Sequence, residues 1–453
     1  MTANAASIRE LIAETLDIDQ SRVTPDLTYH SIPEWSSLRH VNLMVRLFSE
    51  YGIGRARGDI QELTSVDAIE RRLGVHRPAH VPETSGNEGD QGIPRMHSVD
   101  RGLVHSVMDT TEITLVDPEG SRLLYRGYDA QELSRSSSFE AVAHLLIEGT
   151  LDELSERQLT LVAAGQAAAR NVLSFSLPRK HDYVHTFVLR LAALDLSFAR
   201  SLATDPSQRI RDEGWALLGA ASVLSTESET SAGLSGSGIL TRTVASGVQS
   251  PIAQDELINY LSRTMIVQAD HSSSASALAL RVAVSAGAGL QDGVLSAIST
   301  FNGPLHGGAI RDVVTLLEAH THDIRAEVDR RIDCGDPVPG FGHRVYKHVD
   351  PRVQPIHEDF DEVSGKLGNY RYSITIAELR QAMALHEELG ATANVDLYSG
   401  ALWRLLGART EQLVPIFIVA RLCGWTAHAV EQYQSHVLIR PQLKYKGIKD
   451  ANL

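Results

Sequence analysis

Between residues 76 and 97 the chain reads HRPAHVPETSGNEGDQGIPRMH, where Pro, Gly, Ser and charged residues follow one another with no apolar period. Such a run cannot bury a face. It reads as a flexible linker and prevents one continuous core from spanning both of its sides. The 453 residues must therefore fold as a small unit over residues 1–75 and a much larger one from residue 98 onward. At roughly 150 residues per domain, the whole is sized for about three domains.

The small unit carries Ile8, Leu11, Ile12 and Leu16 at helical spacing. A loop through Pro25 and Pro33 follows, then a second apolar stripe of Leu38, Val41, Met44, Val45 and Phe48, and a short third helix over 66–73. Past the linker, residues 113–126 (ITLVDPEGSRLLYR) place two short β-prone runs around Asp117, Pro118, Glu119 and Gly120, the pattern of a hairpin. Beyond it the chain is rich in Ala and Leu at helical spacing, as over 159–170, 184–203 and 215–224. The expected fold class is all-α (mainly α), with that hairpin at the start of the large unit.

Composition narrows the function classes. Hydrophobic residues make up 43% and charged residues 22%, which is ordinary for a globular chain. Lys plus Arg number 42 against 56 Asp plus Glu, and the net charge of −14 opposes general binding to nucleic acid or an anionic membrane. No run of about 18 apolar residues offers a membrane span, and residues 1–11 lack the apolar core of a signal peptide. Cys334 and Cys423, the only cysteines, are too far apart for a disulfide framework or a CxxC metal site. The expectation is an acidic, cytoplasmic protein of two or three domains with no resident metal.

In the small unit, Ile32-Pro33-Glu34-Trp35-Ser36-Ser37-Leu38 precedes an apolar helix ending near Tyr51-Gly52-Ile53. This segment resembles an acyl carrier protein, whose motif is Asp-Ser-Leu at the start of its second helix. The resemblance implies a carrier-like bundle with 4′-phosphopantetheine on Ser37, where a helix N-terminus would favour the phosphate. Ser36 stands where that family has Asp, and Arg39, Arg46, Arg55 and Arg57 make the segment more basic than its relatives. The plainer reading is that Ser36 and Ser37 cap the helix.

Among 19 histidines, three are singled out by their neighbours. His306 lies in Asn302-Gly303-Pro304-Leu305-His306-Gly307-Gly308, and His343 in Pro339-Gly340-Phe341-Gly342-His343-Arg344-Val345-Tyr346-Lys347. Glycines on both sides let a substrate or backbone approach closely. His271 follows Ala269-Asp270 in a stretch of small residues, and Asp396 lies in Asn394-Val395-Asp396-Leu397-Tyr398-Ser399-Gly400 with few charges nearby. A poorly solvated carboxylate has a raised pKa and is a better base toward a weak carbon acid.

Taken in order, these motifs, the segment Leu124-Tyr125-Arg126-Gly127-Tyr128-Asp129 with Glu132-Leu133, Asp350-Pro351-Arg352 and a late Arg-Pro resemble the citrate synthase family from about residue 98 to 447. The resemblance implies a helical large domain over 98–307 and 408–453, a small domain over 308–407, and a homodimer. It implies an acyltransferase that converts the acyl group to alkyl on transfer, using an acyl-CoA thioester and a 2-oxo acid and no cofactor. By the same resemblance Asp396 would take a methyl proton from acetyl-CoA while His306 donates to the forming enolate oxygen. His343 would polarise and protonate the ketone of oxaloacetate, and His271, Arg352, Arg421 and Arg440 would hold that substrate, Arg440 from the partner subunit. Planar guanidinium forks suit its two carboxylates. Arg344 and Lys347 would lie near the CoA phosphates.

The chain departs from the family after Asp270-His271, where Ser272-Ser273-Ser274 replaces Glu or Gly then Asn, and after Gly307-Gly308-Ala309, where Ile310-Arg311 replaces Asn-Glu. These positions bear on the acyl donor and substrate preference. Two rivals accompany the main reading. One is a synthase acting on an acyl group tethered to Ser37, swung in by the linker at high effective concentration; the other is a catalytically weak scaffold protein.

Overall fold

Ile8, Leu11, Ile12 and Leu16 fall on one face of helix Ala5–Leu16, and all four are buried. A computed structural model describes residues 5–28, 31–32, 34–35, 39, 43, 46–47, 51, 63–73, 107–174, 182–228, 238–319, 323–343, 345–346, 349–386 and 392–443. The chain divides into two compact units, Met1–Ser98 with Arg331–Asp336, and Val99–Arg330 with Pro337–Leu453.

In the first unit that helical face joins Val23, Leu27, Trp35, Leu43, Leu47, Leu63, Val66 and Ile69 in a single apolar core. Ser65 caps helix Val66–Arg72 by accepting the Ala68 N–H at 3.0 Å. The expected second stripe of Leu38, Val41, Met44, Val45 and Phe48 lies outside the described residues, as do Ser37 and the linker 76–97.

The second unit begins with the expected hairpin. Thr114–Asp117 pairs antiparallel with Arg122–Tyr125, Thr114 opposite Tyr125, and Asp117 Oδ1 accepts the Gly120 N–H at 2.9 Å to close the turn. A third strand, Tyr128–Asp129, adds to the far edge, which the sequence reading did not foresee. Arg126 and Gly127 both take positive φ, 46° and 91°, and reverse the chain within two residues.

Helices Glu156–Leu173 and Pro206–Thr226 contain the expected stripes. They cross so closely that a Cβ on Gly165 would come 1.9 Å from the Ala216 carbonyl oxygen, and one on Gly219 2.1 Å from that of Val162. The stripe at 184–203 is not one helix but two, Tyr183–Ala192 and Ser197–Ser201. Asp195 causes the break, because its carboxylate accepts the Ser197 N–H at 2.9 Å in place of a helical ladder bond.

Helix Leu413–Ser435 runs through the centre, packed by Pro206–Thr226, Ala275–Ser285 and Phe139–Glu148. Being surrounded, it is mostly apolar all round, with Arg421, Thr426, His428 and Gln432 as buried polar exceptions. Its length and composition would also fit a bilayer, but the apolar stretch is wholly buried within the protein, as in a core helix. A separate group of helices, Ala309–Ala319, Val353–Leu367 and Val395–Leu405, packs together, and Asp396 lies in the first turn of the last of these.

Candidate active site

His271 lies three residues past helix Gln254–Gln268, and the next residue, Ser272, takes a left-handed φ of 49°. That turn points the imidazole at His343, with ring centroids 5.1 Å apart. His271 Nε2 is buried and without a hydrogen-bond partner. An orphaned buried polar atom costs about 1–3 kcal/mol, so it marks a place where a ligand atom belongs. Burial, reinforced by Arg352, His343, Arg421 and His306, pulls the His271 pKa well below its usual value.

His343 Nδ1 accepts the backbone N–H groups of Val345 and Tyr346, both at 3.1 Å. In the neutral ring the proton is therefore on Nε2. Arg352 Nη2 lies 3.3 Å from that nitrogen, and since a guanidinium only donates, two donors converge on one spot. A carbonyl or carboxylate oxygen placed between them would satisfy both. Burial and the charge of Arg352 pull the His343 pKa down to about 4.

His306 sits between helices Leu290–Phe301 and Ala309–Ala319, on a turn that only glycine permits: a Cβ on Gly307 would lie 2.0 Å from the Phe301 ring. Its Nε2 is 2.8 Å from Ser276 Oγ, which receives the Trp425 indole N–H at 3.3 Å. With one lone pair so occupied, the serine hydrogen is free to point at Nε2, leaving Nδ1–H as the outward donor. Burial, then Arg421 and Arg352, brings the His306 pKa to about 4.

Arg352 is clamped by Asp350, with Nε to Oδ1 at 2.9 Å and Nη2 to Oδ2 at 2.8 Å. Asp350 also accepts the Val395 N–H at 3.1 Å, tying this arginine to the helix that starts at Val395. Arg421 is buried on the central helix, its Nε donating to the Gln268 carbonyl at 2.8 Å and its guanidinium over the Phe301 and Phe417 rings. Burial lowers its pKa to about 10, still far above neutrality, so it remains a cation. Asp396 lies in the first turn after the cap Asn394, whose side chain accepts the Asp396 N–H at 3.0 Å. Burial pushes its pKa up to about 7 against the opposing pull of Arg352 and Arg421. Phe301 packs against both His306 and Arg421, and Asp350 ties Arg352 to the first turn that carries Asp396, so these groups share one neighbourhood.

The structure thus brings together His271, His306, His343, Arg352, Arg421 and Asp396. Arg440 is exposed in the irregular segment after Leu413–Ser435, and Arg344, Lys347 and Ser37 fall outside the described residues. Asp350, Ser276, Gln268 and Tyr346 were not singled out by sequence. Tyr346 rings against His343 and His271 at 4.7 and 5.5 Å and leaves a buried hydroxyl without a partner. Asp350 had a sequence signal, its place two residues before Arg352; Ser276 had none.

Uncharged imidazoles and clamped guanidiniums near a carboxylate of raised pKa make an acid–base site suited to carbon acids, set in a mainly helical fold. Residues 102–442 match the family model described as citrate synthase, C-terminal domain. The chain is 31% identical over 373 residues to 2-methylcitrate synthase 2 of Corynebacterium glutamicum, covering 77% of this chain and 95% of that one. It is 30% identical over 375 residues to citrate synthase of Mycolicibacterium smegmatis, covering 80% and 97%. The fold is similar to that of Thermoplasma acidophilum citrate synthase, solved with carboxymethyl coenzyme A and oxaloacetate, at a TM-score of 0.67 and 24% identity over 79% of this chain and 98% of that one. The chain belongs to the citrate synthase family.

Proposed function

We propose that the chain condenses the acetyl group of acetyl-CoA with oxaloacetate and hydrolyses the resulting citryl thioester to citrate and CoA. The observation that carries this is Asp396, a carboxylate of pKa about 7 in one neighbourhood with Arg352, Arg421 and imidazoles held uncharged. Asp396 takes a proton from the thioester methyl group, and the electron pair moves to the carbonyl oxygen, where His306 Nδ1–H stabilises the enolate as it forms. The enolate carbon then attacks the oxaloacetate ketone. His343 Nε2–H donates to the alkoxide, and Arg352 and Arg421 balance the substrate carboxylates. Water finally cleaves the thioester. Each step is proton transfer or carbonyl addition and calls for no cofactor. Free-thiol release across a small matrix of acyl-CoAs and 2-oxo acids tests the reading. Preference for acetyl-CoA with oxaloacetate supports it; turnover only with propionyl-CoA would move the assignment to a 2-methylcitrate synthase.

Three finer readings go with it. Residues 308–407 form the small lobe inserted in the large one, supported by the mutual packing of helices Ala309–Ala319, Val353–Leu367 and Val395–Leu405. The enzyme works as a homodimer in which Arg440 serves the partner's site, which accounts for an arginine that is exposed within its own chain. The N-terminal unit is carrier-like, with 4′-phosphopantetheine on Ser37, supported by its single apolar core and by the sequence motif. Intact-mass spectrometry of protein co-expressed with a phosphopantetheinyl transferase tests the last: an unchanged mass rules it out.

A further inference from the structure

Asp270 touches no reactant in this scheme, yet its carboxylate is fully buried, and a Cβ on Gly424 would lie 2.2 Å from its Oδ1. Its Oδ2 accepts the Ser272 N–H at 2.8 Å, the bond that forms the left-handed turn beneath His271. Tyr125 clamps the Asp270 backbone, donating its hydroxyl to the carbonyl at 3.2 Å and accepting the N–H at 3.3 Å.

On the far side of the carboxylate stands His428 of the central helix, Nε2 at 3.3 Å. Its Nδ1 faces Arg281 Nη2 at 2.8 Å and Nε at 3.1 Å. Because a guanidinium only donates, Nδ1 must accept, so the ring proton is on Nε2 and directed at Asp270. Arg281 continues to Gln432 Oε1 at 3.3 Å and to Glu431, and Glu431 accepts from Thr111 Oγ1 at 3.2 Å and the Glu112 N–H at 2.9 Å.

Arg281 lies on helix Ala275–Ser285, whose first turn supplies Ser276 to His306. One imidazole therefore joins the turn that carries His271 to the helix that orients His306. Removing it would leave the buried Asp270 carboxylate without its Nε2–H donor and part of the Arg281 fork without its acceptor.

We propose that His428 is a positioning residue, a neutral ring between Arg281 and Asp270 that holds His271 for the 2-oxo acid and couples its placement to that of His306. The inference rests on His271 as a ligand of oxaloacetate in the function proposed above. His428→Leu removes both contacts, whereas His428→Gln restores an amide with one donor and one acceptor. Oxaloacetate binding to the full-length protein is measured by calorimetry, with kcat, both KM values and the melting temperature. In His428→Leu the oxaloacetate KM and Kd rise about tenfold or more while the acetyl-CoA KM stays within about twofold, and His428→Gln regains most of the loss. Wild-type oxaloacetate affinity in His428→Leu, or equal losses for both substrates in both variants, overturns the proposal. Should His428→Leu fail to fold, Arg281→Lys decides: it keeps the charge but loses the fork, and an unchanged oxaloacetate KM overturns the coupling. A wild-type protein that neither binds oxaloacetate nor releases CoA overturns the function and this inference together; normal wild-type turnover with unaffected variants overturns the inference alone.

Discussion

At the scale of single residues, burial sets the chemistry by choosing charge states. In the proposed reaction Asp396, pushed up to about 7, is the group whose ionisation switches the site on, while His306 and His343, near 4, remain neutral above that pH. The acid limb of kcat/KM is therefore expected near pH 7, with no histidine limb until about pH 4. Asp396→Asn should lower kcat by about 10²–10⁴-fold in thiol-release assays and leave oxaloacetate affinity nearly unchanged. The stability effect has the opposite sign. A carboxylate whose folded pKa lies above its unfolded value of 3.8 stabilises the fold below 3.8, and that contribution is lost as pH rises through about 7. Asp396→Asn should thus raise the melting temperature at pH 8 and have less effect at pH 5, as calorimetry across that range would show. For the two histidines the folded pKa is depressed, so their contribution is present above 6.5 and lost as pH falls through about 4.

Among the elements, local side-chain chemistry set the boundaries that apolar spacing could not. The stripe over 184–203 is periodic throughout, yet Asp195 divides it, since a carboxylate can satisfy a backbone N–H as well as the next carbonyl can. Ser155 begins helix Glu156–Leu173 with a reciprocal capping box with Gln158. The hairpin was legible because Asp117 to Gly120 is a turn pattern, whereas the two-residue strand at Tyr128 is too short to leave a period. Close helix crossing was not legible either, because a glycine within a helix reads as a weakness until its partner is known. Gly219→Ala, with its Cβ 2.1 Å from the Val162 carbonyl oxygen, should destabilise the protein by about 1–3 kcal/mol in urea unfolding and leave both KM values unchanged.

For the molecule as a whole, a net charge of −14 coexists with two buried arginines in one acid–base site. Asp350 partners Arg352 directly and offsets its charge, which lets a guanidinium be held in the interior without a basic surface. The proposed dimer gives this scale its own test. Arg440→Ala and Asp396→Asn proteins, each inactive alone, should regain about a quarter of wild-type activity after unfolding and refolding together, since half of the dimers are mixed and one of their two sites is intact. Recovery absent from properly mixed dimers would show that Arg440 serves its own chain.

The sequence alone determined the helical class and the hairpin, since each is written in local spacing or in a short turn pattern, and it named the side chains proposed to react. Only the tertiary structure decided which nitrogen carries the proton in His343, His306 and His428, that Asp396 is half-buried under the opposing pull of two guanidiniums, and that His428 stands between Arg281 and Asp270, 147 and 158 residues away along the chain. Those are properties of distance and solvent exclusion between remote segments. A motif records which group is present, and packing decides its charge.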